Sequence, residues 1–378
     1  MEEDEGLREI HQVLHGYFEN DTRQRFQLEG PIASGADSIA WRVQQSTCGQ
    51  KGSQACQRIV LKTPKWADLD ELGEETPADD VNPCNNGSNS LDPIENEKKW
   101  LKVLQWAKHV MNILEVPADP LNRRRSPLRR HGVDNWIFIE WIQHGTLRRL
   151  VRRARTENTD YLPNRMLWRF FMCPMAWPPE QPIGPPDGAF EITRQTPPLK
   201  ITHGDLHSEN VMIGPFEPDS EYPEHDITPV LKMIDLGKMS GNDSCMNSAP
   251  FSTPGSVTTS TTGGRRPSSN PRRPRTQHPL HPKLWACCYR TLSETTKAIF
   301  PAPRLDPDLR LLVCRCLAVR SGSRPGLAEL FEAVMEAIRV RDAAWYASEG
   351  AGYCNPARET DESISGLLQL LLRDAGSG

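Results

Sequence analysis

His203-Gly204-Asp205-Leu206-His207-Ser208-Glu209-Asn210 offers a carboxylate and, five residues on, a carboxamide. The apolar run Val211-Met212-Ile213 follows, and a second one, Val230 to Ile234, ends in Asp235-Leu236-Gly237. An Asp, an Asn five positions later and a further Asp just past a strand are what magnesium-assisted phosphoryl transfer needs. The first carboxylate receives or orients the acceptor hydroxyl. The Asn210 amide oxygen and the Asp235 carboxylate are hard oxygen ligands for Mg²⁺. Taken singly, H-G-D and D-L-G read as well as ordinary turns. Their order, with a strand beside each, favours the chemical reading.

The two segments resemble the catalytic loop and the D-F-G motif of protein kinases, with Leu236 in place of Phe. Other segments follow in family order. Ile59-Val60-Leu61-Lys62 is similar to the V-A-I-K strand, which implies that Lys62 reaches the α- and β-phosphates of ATP. Glu97, in Asn96-Glu97-Lys98-Lys99-Trp100-Leu101, resembles the helix glutamate that pairs with that lysine. Ile32 to Ala40 aligns with G-x-G-x-x-G-x-V, with Ala33, Gly35 and Ser38 in the glycine places, so only Gly35 remains a glycine. Glu140-Trp141-Ile142 is similar to the hinge, implying that backbone groups of Glu140 and Ile142 bond adenine behind a gatekeeper, Ile139. Leu312 to Ala318 and Arg324-Pro325 are similar to the family's C-L…R-P ending. The resemblance covers residues 26 to 345 with long unmatched insertions, and is most like divergent fungal-type protein kinase-like sequences.

The resemblance implies an α+β, bilobal protein kinase-like fold with a small β-rich N-lobe and a mainly helical C-lobe carrying disordered insertions. It implies ATP and Mg²⁺ as cofactors and transfer of the γ-phosphoryl group to a protein hydroxyl, of the serine/threonine class. Asp205 would be the base, Lys62 the phosphate anchor held by Glu97, and Asn210 and Asp235 the metal ligands. Two alternatives stay open: a pseudokinase that binds nucleotide as a scaffold, and a small-molecule phosphotransferase of the aminoglycoside or choline kinase type, which H-G-D-L-H-x-x-N suits well.

Several positions depart from the family. Gly204 stands where H-R-D has Arg, so activation-loop phosphate has no such arginine to gather it. His207 takes the place of a common lysine and reads equally well as a surface histidine. Neither A-P-E nor D-x-W-x-x-G is present; Ala249-Pro250-Phe251 lacks the carboxylate, which deprives Arg324 of its usual partner. The helix before the catalytic loop stops early, at Phe171-Met172-Cys173-Pro174.

The elements that must position these residues are read from periodicity. Leu7, Ile10, Leu14, Tyr17 and Phe18 predict a helical extension over residues 1–25. From Phe26 the period becomes two; Ile39, Trp41 and Val43 alternate, and Gln44 to Gln57 reads as a polar hairpin loop. The N-lobe is expected over 26–142, interrupted by an acidic loop at 65–93 and by an Arg-rich loop at Arg123–Arg130. Its helix carries Glu97, Leu101, Leu104 and Lys108 on one face, and Val110 to Val116 and Trp136 to Ile139 read as strands. The C-lobe is expected over 143–347. It holds a Pro-rich connection at 178–199, a disordered insert at 240–283, and helices over 305–318 and 325–347. Residues 348–378 read as a tail.

Composition bounds the rest. The formal net charge of −4 supplies no basic field for nucleic acid. No apolar stretch approaches membrane-spanning length, and the acidic opening MEEDEG is unlike a secretory leader. The ten cysteines form no C-x-x-C pair and read as reduced thiols. The expectation is an intracellular protein, cytoplasmic or nuclear, neither secreted nor transmembrane, with a protein substrate and no nucleic-acid or membrane partner. The arginine clusters 123–130 and 265–275 allow a nuclear-localisation or phosphorylation reading, but solvated loops are the simpler one.

Overall fold

A computed structural model describes residues 5–19, 25–48, 54–65, 92–105, 107–116, 119, 121, 135–173, 201–217, 225–241, 304–318 and 320–373. It is an α+β arrangement with a four-stranded antiparallel sheet and several helices. The chain runs α1 (Glu5–Glu19), β1 (Phe26–Ser34), β2 (Ser38–Cys48), β3 (Gln54–Pro64), α2 (Pro93–Val103) and β4 (Ile137–Glu140). Then come α3 (Leu147–Thr156), α4 (Asn164–Met172), β5 (Ile201–Thr202), β6 (Val211–Ile213), β7 (Leu231–Met233) and β8 (Ser240–Gly241). Helices α5 (Pro307–Cys316), α6 (Leu327–Val340), α7 (Ala343–Ser348) and α8 (Asp361–Leu372) follow.

The sheet order is β1-β2-β3-β4. Because successive strand residues face opposite sides, the sheet feeds two apolar clusters. Ile39, Trp41, Val43, Ile59, Leu61 and Phe138 meet Ile10, Leu14 and Phe18 of α1 on one face. Val60, Ile137 and Ile139 join the other cluster, with Trp100 and Leu101 of α2. Lys62, two residues beyond Val60, therefore emerges on the α2 side. The neighbouring strand is pinned by the Trp41 indole, which donates to Thr63 Oγ1 at 3.0 Å.

The second cluster continues from α2 into the helices, taking in Leu150, Phe170, Leu309, Val334, Ile364 and Leu368. Its polar anchor is Asp306, fully buried, which accepts from Tyr346 Oη at 2.8 Å, Trp168 Nε1 at 3.3 Å and the Arg341 guanidinium while capping α5. Glu359, also fully buried, takes the N–H groups of Asn164 and Arg165 at 2.9 and 3.0 Å, satisfying the otherwise orphaned first turn of α4.

Several expectations need correction. The polar stretch 44–57 is mostly ladder: β2 and β3 stay paired out to Cys48 and Gln54, because backbone bonding does not require apolar side chains. Helix α2 ends at Val103, so Lys108 lies beyond it and pairs instead with Glu217 at 2.6 Å. Residues 110–116 form no continuous strand but two isolated bridges, Val110 with Met233 and Ile113 with Ile139. The helix expected over 325–347 is two, since Asp342 caps a new one by accepting from the Trp345 N–H. The supposed tail contains α8, which buries Ile364, Leu368 and Leu371. At the start of the expected insert 240–283, Ser240 and Gly241 pair with β5; the remainder, like most of 65–93, residues 123–130 and 178–199, lies outside the described residues. No described helix is long and apolar enough to cross a membrane.

Candidate active site

Helix α2 is placed by its own start. Asp92 accepts from the Ile94 N–H at 3.0 Å and Pro93 occupies the first turn, a strong helix-initiating combination. One turn in, Glu97 is buried and aimed back at β3. The Lys62 ammonium donates to Glu97 Oε2 at 2.6 Å and to Asp235 Oδ1 at 2.8 Å. Two carboxylates, 35 and 173 positions along the chain from Lys62, thus share one cation. Burial works against the Lys62 charge, yet the two carboxylates outweigh it and hold the ammonium above the ordinary lysine range. Burial likewise opposes ionisation of Asp235, and Lys62 overrides it, holding that carboxyl below its usual range. Glu97 is pushed up by burial, with Lys62 pulling the other way.

Asp235 has a left-handed backbone, φ 60°, which turns the chain sharply out of β7 into a short 3₁₀ turn at Leu236–Lys238. Helix α2 holds that turn. The Asn96 amide donates to the carbonyls of Gly237 at 2.8 Å and Met239 at 3.0 Å, and the Leu236 N–H reaches Glu97 Oε1 at 3.4 Å. A Cβ on Gly237 would come to 3.2 Å from the Pro93 carbonyl oxygen, so the glycine permits this close approach.

Asp205 enters through Gly204, whose φ of 79° is open to glycine and whose missing Cβ leaves room for the Lys238 backbone carbonyl. His203 braces the same loop from within. Its Nε2–H donates to the Ile234 carbonyl at 2.9 Å, and its Nδ1 accepts from the Asp205 N–H at 3.4 Å. Burial holds this imidazole below the usual histidine range. The Asp205 carboxylate is partly exposed and accepts from Lys238 Nζ at 2.8 Å, with His207 Nε2 at 4.0 Å from its other oxygen. Asn210 lies at the foot of β6, and pairing of β6 with β7 brings it beside the strand leading to Asp235; the Ile234 N–H donates to its carbonyl at 3.0 Å. The Asn210 amide nitrogen donates to the Asp205 carbonyl at 2.9 Å, leaving the amide oxygen for a hard cation.

The structure brings Lys62, Glu97 and Asp235 into direct contact, and joins Asn210 to Asp205 through the bond from the Asn210 side-chain amide to the Asp205 carbonyl. Ala33 near the end of β1 and Gly35 in the β1–β2 turn are exposed, Ser38 opens β2 and is half-buried, and the turn closes with the Gly35 N–H donating to the Ser38 carbonyl at 2.8 Å. A side chain on Gly35 would meet only ordinary contact within that turn. Asp37, at the turn's tip, adds to the negative field around Lys238, whose own bond to Asp205 raises its pKa first. The N–H of Glu140 is committed to the Asn112 carbonyl at 3.0 Å. Its carboxylate takes Lys232 Nζ at 2.6 Å and the Asn112 N–H at 2.7 Å, while Ile142 is buried. Of the hinge contacts expected at Glu140, the N–H is therefore already spent.

Two participants escaped the sequence reading. Lys238, directly after D-L-G, and Asn96, directly before Glu97, carry no pattern of their own; only the turn at 235–238 makes them neighbours of the site. Arg324, expected to lack its partner, donates to the Ala318 carbonyl at 2.6 Å. Compared with known proteins, the chain matches no family model and no curated sequence.

Proposed function

We propose that the protein is an ATP-dependent protein kinase of bilobal, kinase-like architecture, passing a γ-phosphoryl group to a protein hydroxyl of the serine/threonine class. The observation that carries this is the Lys62 ammonium bridging Glu97 and Asp235. A structural ion pair needs one carboxylate; the second, more exposed one, kept ionised, suits a metal.

The residues fit Mg²⁺ by the chemistry of their donors: an ionised Asp235 and an Asn210 whose amide nitrogen is engaged elsewhere, both hard oxygen ligands. Bound there, Mg²⁺ supplies charge neutralisation for the phosphate oxygens. Lys62, fixed by Glu97, anchors the nucleotide phosphates. Asp205 receives or orients the acceptor hydroxyl, and Lys238, exposed and paired with Asp205, is the cation nearest the acceptor side, the role the family gives to the lysine that His207 replaces. Acceleration then comes from positioning and preorganised charge, without a covalent intermediate.

One observation favours a second reading. The Gly204 turn, closed by the Lys238 backbone, has no room for the arginine of H-R-D, as expected of a small-molecule phosphotransferase. The test is radiolabelled Mg-ATP offered with mixed protein acceptors and, separately, with amino sugars and amino alcohols, alongside melting curves in Mg-ATP. Label on protein supports the proposal, and label on small acceptors alone replaces it with the second reading. Stabilisation by Mg-ATP with no transfer leaves a nucleotide-binding scaffold.

A further inference from the structure

Away from Asp205 and Lys62, three chemically active side chains meet in the core. His109 lies in the segment after α2, Cys173 caps the C-terminal end of α4, and His225 lies in the turn that precedes β7. They are 3%, 0% and 1% exposed, and their ligand atoms all lie within 4.8 Å of one another. The two imidazoles approach at 5.0 Å between ring centres, tilted by 42° rather than stacked flat.

We infer that His109, Cys173 and His225 form a buried, structural zinc site, independent of the nucleotide site. A thiolate with two imidazoles is a mixed sulfur and nitrogen set, which selects zinc over the hard cations that oxygen ligands hold. His109 is already oriented as a ligand. Its Nδ1 lies 3.0 Å from the Leu231 carbonyl, and the tautomer that donates this bond presents Nε2 as the lone-pair nitrogen. Ligating histidines characteristically fix their second nitrogen in this way. With Zn–N about 2.1 Å and Zn–S about 2.3 Å, tetrahedral ligand atoms lie about 3.4 Å apart. Drawing the three ligand atoms inward by about 1 Å brings them to that spacing. Binding releases the Cys173 thiol proton to solvent as the sulfur–metal bond forms, and a water or a further donor completes the fourth position.

Such an ion would join three segments that the sequence keeps far apart. The His109 carbonyl accepts from the Met233 N–H at 2.8 Å, so one of its ligands is bonded to the strand that delivers Asp235. Nothing in the sequence signals this site, because its ligands share no spacing motif and come from three separate elements.

The experiment is metal analysis of the full chain purified without chelator, with Co²⁺ loading as a spectroscopic probe. About one zinc per chain is expected, together with a near-ultraviolet thiolate-to-cobalt charge-transfer band. Both should disappear in Cys173→Ala, a small apolar replacement. Zinc content or a band that survives this substitution overturns the assignment, as does wild-type protein with neither. Should Cys173→Ala not fold, wild-type protein stripped by chelator decides. Readdition of zinc must raise its melting temperature by several degrees, and an unchanged melting curve overturns the site.

Discussion

The two ends of the candidate site are built differently. At Lys62, Glu97 and Asp235, cation and carboxylates satisfy one another; Lys62 is 12% exposed and Glu97 1%. At Asp205 and Lys238 the pair stands in partial solvent, with Lys238 60% exposed. Charges screened by water are weakly held and move cheaply, whereas charges in a low-dielectric interior are fixed by their partners. The contrast separates a rigid end from an open one; under the proposed function the first would grip phosphates and the second would receive the acceptor.

Substitutions can break this contrast in graded steps. The greatest loss should follow Lys62→Met, which strands Glu97 in the interior. Urea denaturation should register about 3–5 kcal/mol of lost stability, the typical cost of breaking one side of a buried pair. A loss no larger than that of an exposed pair would contradict the rigid end. Asp205→Asn should do the reverse. Turnover should fall about a hundredfold or more, at the low end of general-base contributions, while the melting temperature stays put; unchanged turnover removes Asp205 from the chemistry. Asn96→Ala deletes two bonds to the 236–239 turn and should cost about 1–2 kcal/mol. Its KM for ATP should rise with kcat less affected, as expected if α2 holds Asp235 in place. The smallest effect concerns His203. Its folded-state pKa lies below the ordinary value of 6.5, so in the window beneath that value the unfolded chain binds the proton more readily. Stability is therefore complete above this window and declines as the pH drops through it. His203→Gln, which keeps an N–H for the Ile234 carbonyl, should flatten this part of the pH–stability curve, measured by thermal melts from neutral to mildly acidic buffer.

What the sequence made legible follows from range. Ile39, Trp41 and Val43 announce a strand because alternation is local; the Asp92-Pro93 helix start is as local a signal, yet both residues read as the end of the 65–93 loop. The convergence of Lys62, Glu97 and Asp235 was anticipated only through resemblance, since no local rule links residues so far apart. Asn96 and Lys238 stayed hidden because their partners are backbone carbonyls and a carboxylate supplied by a turn. The break at Asp342 was available in principle, as an Asp before Ala343-Ala344-Trp345 is a plain capping signal. So was α8, where Thr360 caps and Ile364, Leu368 and Leu371 keep a helical rhythm. The hairpin extending to Cys48 and Gln54 was not, because its ladder is carried by main chain between polar side chains.

Glu359 and α8 have a consequence for the order of events during synthesis. The first turn of α4 depends on a carboxylate made nearly two hundred residues later, and the apolar surface around Leu150 waits for Ile364 and Leu368. On the ribosome, α1 and every strand of the four-stranded sheet are out once β4 has emerged. The helical portion must stay incomplete until residues 359–372 are out, and through that interval its uncovered apolar surface is what a chaperone would meet.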